Sequence, residues 1–202
     1  MNSTKNLLPL RVALLGLLVL TVLSSRSQAQ APVFKVTPDQ STIKFFVKAT
    51  VALVGKFDKW DATLTFSSPN IATGVLDIKA QAASVDTGSG MKDDKLKSKD
   101  FFNAEHDPLI TFHSTKIVRT GPNTFDVPGT FTIRGVSKPQ TLNLTVADDE
   151  TSSGEIKGTM AFDRKDYGVD GSIPFLRIAN RVEVTIYLHA KRVSGPPLIF
   201  KQ

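Results

Sequence analysis

The 202-residue chain has no cysteine, one tryptophan, two tyrosines and three histidines. Without cysteine there is no disulfide scaffold, zinc ribbon, thiol redox chemistry or Cys-anchored lipoprotein. His106, His113 and His189 match no zinc-ligand spacing. No Gly-x-Ser-x-Gly elbow occurs, and Gly88-Ser89-Gly90 lacks the Gly-Lys-Ser/Thr continuation of a phosphate loop, so it reads as a turn. Nothing here calls for a metal or a cofactor. Disorder is excluded as well, since 41% of the residues are hydrophobic and 13 are Phe.

Long apolar runs are also scarce, with one exception at the start. Lys5 and Arg11 precede residues 12–23, which are apolar except for Gly16 and Thr21, and Ser27-Gln28-Ala29 follows as a small-x-small site. That three-part layout predicts a secretory signal peptide over residues 1–29, cleaved after Ala29. The run is shorter than the ~20 apolar residues a spanning helix needs. Removing Lys5, Arg11 and Arg26 leaves 22 basic against 19 acidic side chains, a net charge of +3. So mild an excess makes no case for nucleic acid. The expectation is a periplasmic protein with a single domain over residues 30–202, its core near 34–192 and a tail at 194–202. Lacking disulfides, such a domain must be held by its own hydrophobic core.

What the mature chain does have is a period of two. Odd positions from Ile43 to Leu53 are apolar and even ones mostly polar, with Phe46 the exception. Residues 60–66, 130–134, 141–146, 156–162 and 182–188 alternate in the same way, and 75–82 and 109–118 add two further runs. Alternation rich in Thr, Val, Ile and Phe marks half-buried strands. Turn chemistry falls between the runs: Gly55, residues 67–70, 120–123, 148–154 and 168–171. About eight antiparallel strands result, with no βαβ rhythm. The charged stretch near residues 91–99 does not alternate and reads as a short helical insert. An all-β antiparallel barrel with its apolar face inward satisfies this pattern. One Trp and two Tyr give no aromatic girdle for an outer-membrane barrel, and a β-sandwich is the other soluble arrangement.

Few residues in these strands carry obvious chemistry. Asp163-Arg164-Lys165-Asp166 is the densest charge cluster in a strand-to-turn setting, and its alternating signs read as mutual compensation rather than an acid/base pair. Lys92 to Lys99 reads as a solvated face that, beside an opening, attracts anionic head groups. Asn143-Leu144-Thr145 is a glycosylation sequon lying within a strand.

Longer motifs are more specific. Asp94-Lys95-Leu96-Lys97-Ser98-Lys99-Asp100-Phe101-Phe102, followed by Pro108-Leu109-Ile110-Thr111-Phe112-His113-Ser114, resembles the signature of the YceI-like family. Residues 127–139, with Gly129-Thr130-Phe131-Thr132-Ile133 and Gly135-Val136-Ser137-Lys138-Pro139, resemble its hairpin. Arg164-Lys165-Asp166-Tyr167-Gly168-Val169 and residues 182–190 resemble its later motifs, in the family's order. One departure stands out: many members follow Phe-x-Val-Lys with His, where this chain has Ala49 after Phe46-Val47-Lys48.

The resemblance implies a lipocalin-like barrel, exported to the periplasm, that binds a long isoprenoid such as an isoprenoid quinone or polyprenyl compound in an apolar tunnel. It also implies links to stress response, and it does not imply an enzyme. Combining it with strand parity, the expected tunnel lining is Ile43, Phe45, Val47, Phe57, Leu64, Phe66, Ile78, Phe102, Ile110, Phe112, Phe131, Ile133, Leu142, Leu144, Met160, Phe162, Val184 and Ile186. Lys95, Lys97, Arg164 and Tyr167 are expected at the mouth. The expected partner is an isoprenoid lipid, with no nucleic acid and at most transient membrane contact; a homodimer is left open. Two other classes stand beside this one. The first is an exported lipid- or ester-processing enzyme using His113 or the Asp163/Asp166 pair, and the second is a ligand-free structural or stress protein.

Overall fold

A computed structural model describes residues 30–148, 153–172 and 177–199; the expected leader, residues 1–29, lies outside the described residues. The strands are β1 (Val33–Val36), β2 (Thr42–Ala49), β3 (Leu53–Phe57), β4 (Trp60–Thr65), β5 (Val75–Gln81) and β6 (Val85–Asp86). After helix α1 (Gly90–Lys97) come β7 (Leu109–Ser114), β8 (Val118–Arg119), β9 (Thr124–Ile133), β10 (Val136–Asp148), β11 (Ser153–Asp163) and β12 (Ile178–Ser194). They form one sheet in the order β4-β5-β7-β9-β10-β11-β12-β2-β3-β6, with β1 added on β12 and β8 on β9. All its ladders are antiparallel.

The sheet curls around its apolar face into an incompletely closed barrel. Ile43, Phe45 and Val47 are buried while Lys44, Phe46 and Lys48 face out, so alternation alone sorts the two faces. Two long hairpins dominate the wall. Between β9 and β10, Ile133 pairs with Val136 across Arg134-Gly135, both of which have positive φ, 53° and 69°. That is the two-residue turn whose twist matches the strands.

Three expectations need correction. The described residues form twelve strands rather than eight, because two-residue strands such as β6 and β8 are too short to show a period. The run from Ile43 to Leu53 is not one strand: the chain reverses after Ala49, and Phe45 pairs with Gly55 and Val47 with Leu53. Gly55 is therefore not a turn residue but the middle of β3. A Cβ there would lie 2.4 Å from Cζ of Phe45, so glycine is what lets that ring lie flat on the neighbouring strand.

Candidate functional site

The barrel is hollow at the end that carries α1. A cavity with about 1430 Å³ of empty space, its mouth included, lies inside that end. Strand parity supplies its walls: Ile43, Phe45 and Val47 from β2, Phe131 and Ile133 from β9, Met160 and Phe162 from β11, and Val182, Val184 and Ile186 from β12. Among its lining side chains only Lys44, Lys92, Lys95, Thr111 and Arg164 bear nitrogen or oxygen. An apolar interior with a few polar groups is the usual make-up of a small-molecule site.

The rim is assembled by the helical insert and the turn after β11. Asp93 closes the approach to α1, its carboxylate accepting from the backbone N–H and hydroxyl of Thr87 at 2.8 and 2.7 Å. At the other end the Ser98 hydroxyl donates to the Lys95 carbonyl at 2.7 Å, and the backbone N–H of Phe102 donates to Leu96 at 2.9 Å. The chain thus folds back under its own helix, so that Leu96, Phe101 and Phe102 turn into the cavity. Phe102 meets Phe45 and Phe57, with ring centroids 6.2 and 5.9 Å apart. Arg134 donates to the Phe101 carbonyl at 3.0 Å and ties this segment to the β9–β10 turn.

Arg164 is buried in the cavity wall. Its guanidinium donates to the carbonyls of Val169 (2.5 Å), Gly171 (3.0 Å) and Ala179 (3.1 Å). No carboxylate is among these partners. The charge cluster is therefore not self-compensating as expected: Arg164 turns inward, Asp163 accepts from the Lys165 N–H at 2.9 Å, and Asp166 pairs with Lys138 at 3.4 Å.

Most of the residues expected to line a tunnel meet in this cavity. Leu64 and Leu144 instead line a second cavity at the opposite end, and Phe66 lines neither, stacking on Phe34 with centroids 5.7 Å apart. Of the expected mouth groups, Lys95 reaches the rim, bonded to Asp100 at 3.1 Å and 5.6 Å from the Phe101 ring centroid. Lys97 points outward toward Asp94 at 3.8 Å. Tyr167 is fully buried, packed between Phe131 and Phe162 at 5.3 and 5.2 Å, its hydroxyl accepting from Gln140 at 3.2 Å. Burial raises its pKa, the Gln140 bond opposes that, and the Asp166 charge adds to it.

Several lining residues were not singled out in the sequence. Ala80, Val182 and Val51 share the parity of Ile78, Val184 and Val47, which is signal enough; Leu96 and Val169 sit in segments with no period to read. Ala49, at the position where the YceI-like pattern often has His, lines the cavity. The potential catalytic groups lie elsewhere. His113 pairs with Asp77 at 2.5 Å on the exposed face of β5 and β7. Among the described residues no three His, Asp or Glu side chains cluster as metal ligands.

Comparison with known proteins settles the family. The YceI-like domain model matches residues 34–190. This chain belongs to the YceI-like family. Protein YceI of Escherichia coli is 32% identical over 139 residues, covering 66% of this chain and 71% of that protein. A UPF0312 protein of Pseudomonas aeruginosa is 29% identical over 169 residues, 79% of this chain and 88% of the relative. Among solved structures, Burkholderia cenocepacia BcnA superposes with a TM-score of 0.70 at 27% identity, covering 77% of this chain and 99% of that one. A polyisoprenoid-binding domain from Saccharophagus degradans, implicated in plant cell wall breakdown, has the same fold with a TM-score of 0.62 at 15% identity, covering 80% of this chain and 99% of that one.

Proposed function

We propose that this YceI-like protein is an exported carrier that holds a long isoprenoid lipid, an isoprenoid quinone or another polyprenyl compound, in the cavity beneath α1. The observation that carries this is the cavity itself: an open mouth leading into a space walled by aliphatic and aromatic side chains. A prenyl chain has many methylene-sized groups, and burying each is worth about 0.8 kcal/mol before the costs of ordering the chain. No catalytic apparatus is needed to hold it. The polyisoprenoid-binding relative from Saccharophagus degradans supports the ligand class through the shared fold.

Polar groups are placed to orient a head group. Lys92 and Lys95 border the mouth, and Arg164 brings into the wall a cation with no carboxylate partner among the described residues. A quinone carbonyl or a phosphate fits that environment, whereas a second cation does not. Ala49 keeps the wall beside the rim apolar. Carrier action is favoured over catalysis because Asp163 and Asp166 are engaged separately and His113 faces outward. Loading requires no more than transient contact of the mouth with a membrane. The leader pattern at residues 1–29 supports a periplasmic location, with a mature protein beginning at Gln30.

Purification without detergent from a host that makes isoprenoid quinones, followed by mass spectrometry of an organic extract, tests the reading. A stoichiometric isoprenoid is the expected result. A lipid-free extract would move the assignment to a structural role, and genuine turnover of a lipid ester, lost in Asp166→Asn, to an enzyme.

A further inference from the structure

The barrel holds a second hollow that the carrier reading leaves unused. It lies at the end away from α1, with about 1070 Å³ of empty space including its opening, and shares no lining residue with the first cavity. Phe34 of β1, Leu64, Phe125, Ile156 and the tail residue Leu198 are among its walls.

One row of wall residues has a member in each hollow. Leu144, Gly158 and Ile186 stand directly opposite one another on β10, β11 and β12. Ile186 bounds the upper cavity and Leu144 the lower. Both lean over the bare Cα of Gly158: a Cβ there would lie 2.5 Å from Cγ1 of Ile186 and 2.9 Å from Cδ2 of Leu144. The glycine thus gives two branched side chains a niche in which to lie back against the wall.

We propose that the lower hollow is the binding site for the far end of the same prenyl chain, and that Ile186 and Leu144 on Gly158 set how long a chain is accepted. This rests on the carrier reading and deepens it. A short chain ends above Ile186. A long one displaces the two side chains and continues into the lower hollow, where every neighbour it meets is aliphatic or aromatic except Ser153 and Arg192. Each buried methylene adds to affinity, so losing that extension weakens a long ligand greatly and a short one not at all.

Three variants of the full mature chain separate the outcomes. Gly158→Ala forces Ile186 off the wall and into the path. Gly154→Leu fills the lower hollow from its own wall, at a site where a Cβ meets nothing closer than 3.6 Å. Ile186→Ala removes the divider. The probes are farnesol and solanesol, with occupancy read by native mass spectrometry and folding checked by melting temperature. Gly158→Ala and Gly154→Leu are expected to lower solanesol affinity about tenfold or more, the equivalent of two lost methylenes, with farnesol unchanged. Ile186→Ala is expected to retain or raise solanesol binding. Wild-type solanesol binding in both glycine variants, with each folded, would overturn the inference while leaving the carrier reading intact. A wild type that binds neither alcohol would overturn both.

Discussion

The two ends of the barrel are bordered by different means. At the α1 end the surroundings of the opening are pinned by polar side chains bonded to backbone: Arg164 to three carbonyls, Arg134 to Phe101, Asp93 to Thr87. At the far end the seal is backbone on backbone. Ile199 donates to Pro69 at 2.8 Å and accepts from Ile71 at 3.2 Å, while β1 pairs along β12. Both ends have a hollow behind them, and at the α1 end directional hydrogen bonds hold the rim in shape. Side chains assist there too, as where Arg192 donates to the Gly195 carbonyl at 2.5 Å, but the tail is docked by its backbone.

The strongest test of this contrast is Arg164→Met. Two buried carbonyls and one part-buried carbonyl lose their donor, so stability is expected to fall by about 2–4 kcal/mol in denaturant unfolding. If the rim is fixed by packing instead, the change will be close to neutral. Phe131→Leu acts in the cavity wall and stays apolar. It is expected to cost about 1–2 kcal/mol, and to change the length or amount of lipid recovered; loss of stability from a lipid-free protein would mean a filled core.

Tyr167→Phe removes one hydroxyl from the wall behind the cavity and leaves Gln140 without its partner, for about 0.5–1.5 kcal/mol. The pH dependence has a definite sign. A phenol whose folded pKa is raised contributes stability that is complete below the ordinary tyrosine value of about 10 and is lost as pH climbs through the raised one. Wild type is therefore expected to weaken above pH 10 more steeply than Tyr167→Phe, as followed by thermal melts. At the far end Asn70 accepts from the Ala72 N–H at 3.0 Å and caps a short turn. Asn70→Ala is expected to cost ~1 kcal/mol or less and to leave lipid content unchanged.

Much of the barrel was legible because a strand has a period of two and the wall has one apolar face. That is why Ile43, Phe131, Met160 and Ile186 meet in one cavity. Parity tells which face a side chain takes, but not its height along the barrel. Leu144 shares parity with Leu142 and Leu64 with Ala62, yet both leucines line the far hollow. Turns hid the rest. Arg164 and Tyr167 look like exposed polar residues at a loop, and only the folded turn shows one consumed by carbonyls and the other packed between phenylalanines. Gly55 likewise reads as a turn until the Phe45 ring is seen lying on it.

Photo-crosslinking with a diazirine-bearing prenyl alcohol, mapped by peptide mass spectrometry, addresses the central claim most directly. Labels on the inward residues of β9, β11 and β12, such as Phe131, Met160 and Val184, are the predicted result. Labels confined to the outer face, around Asp77 and His113, would contradict a lipid held inside the barrel.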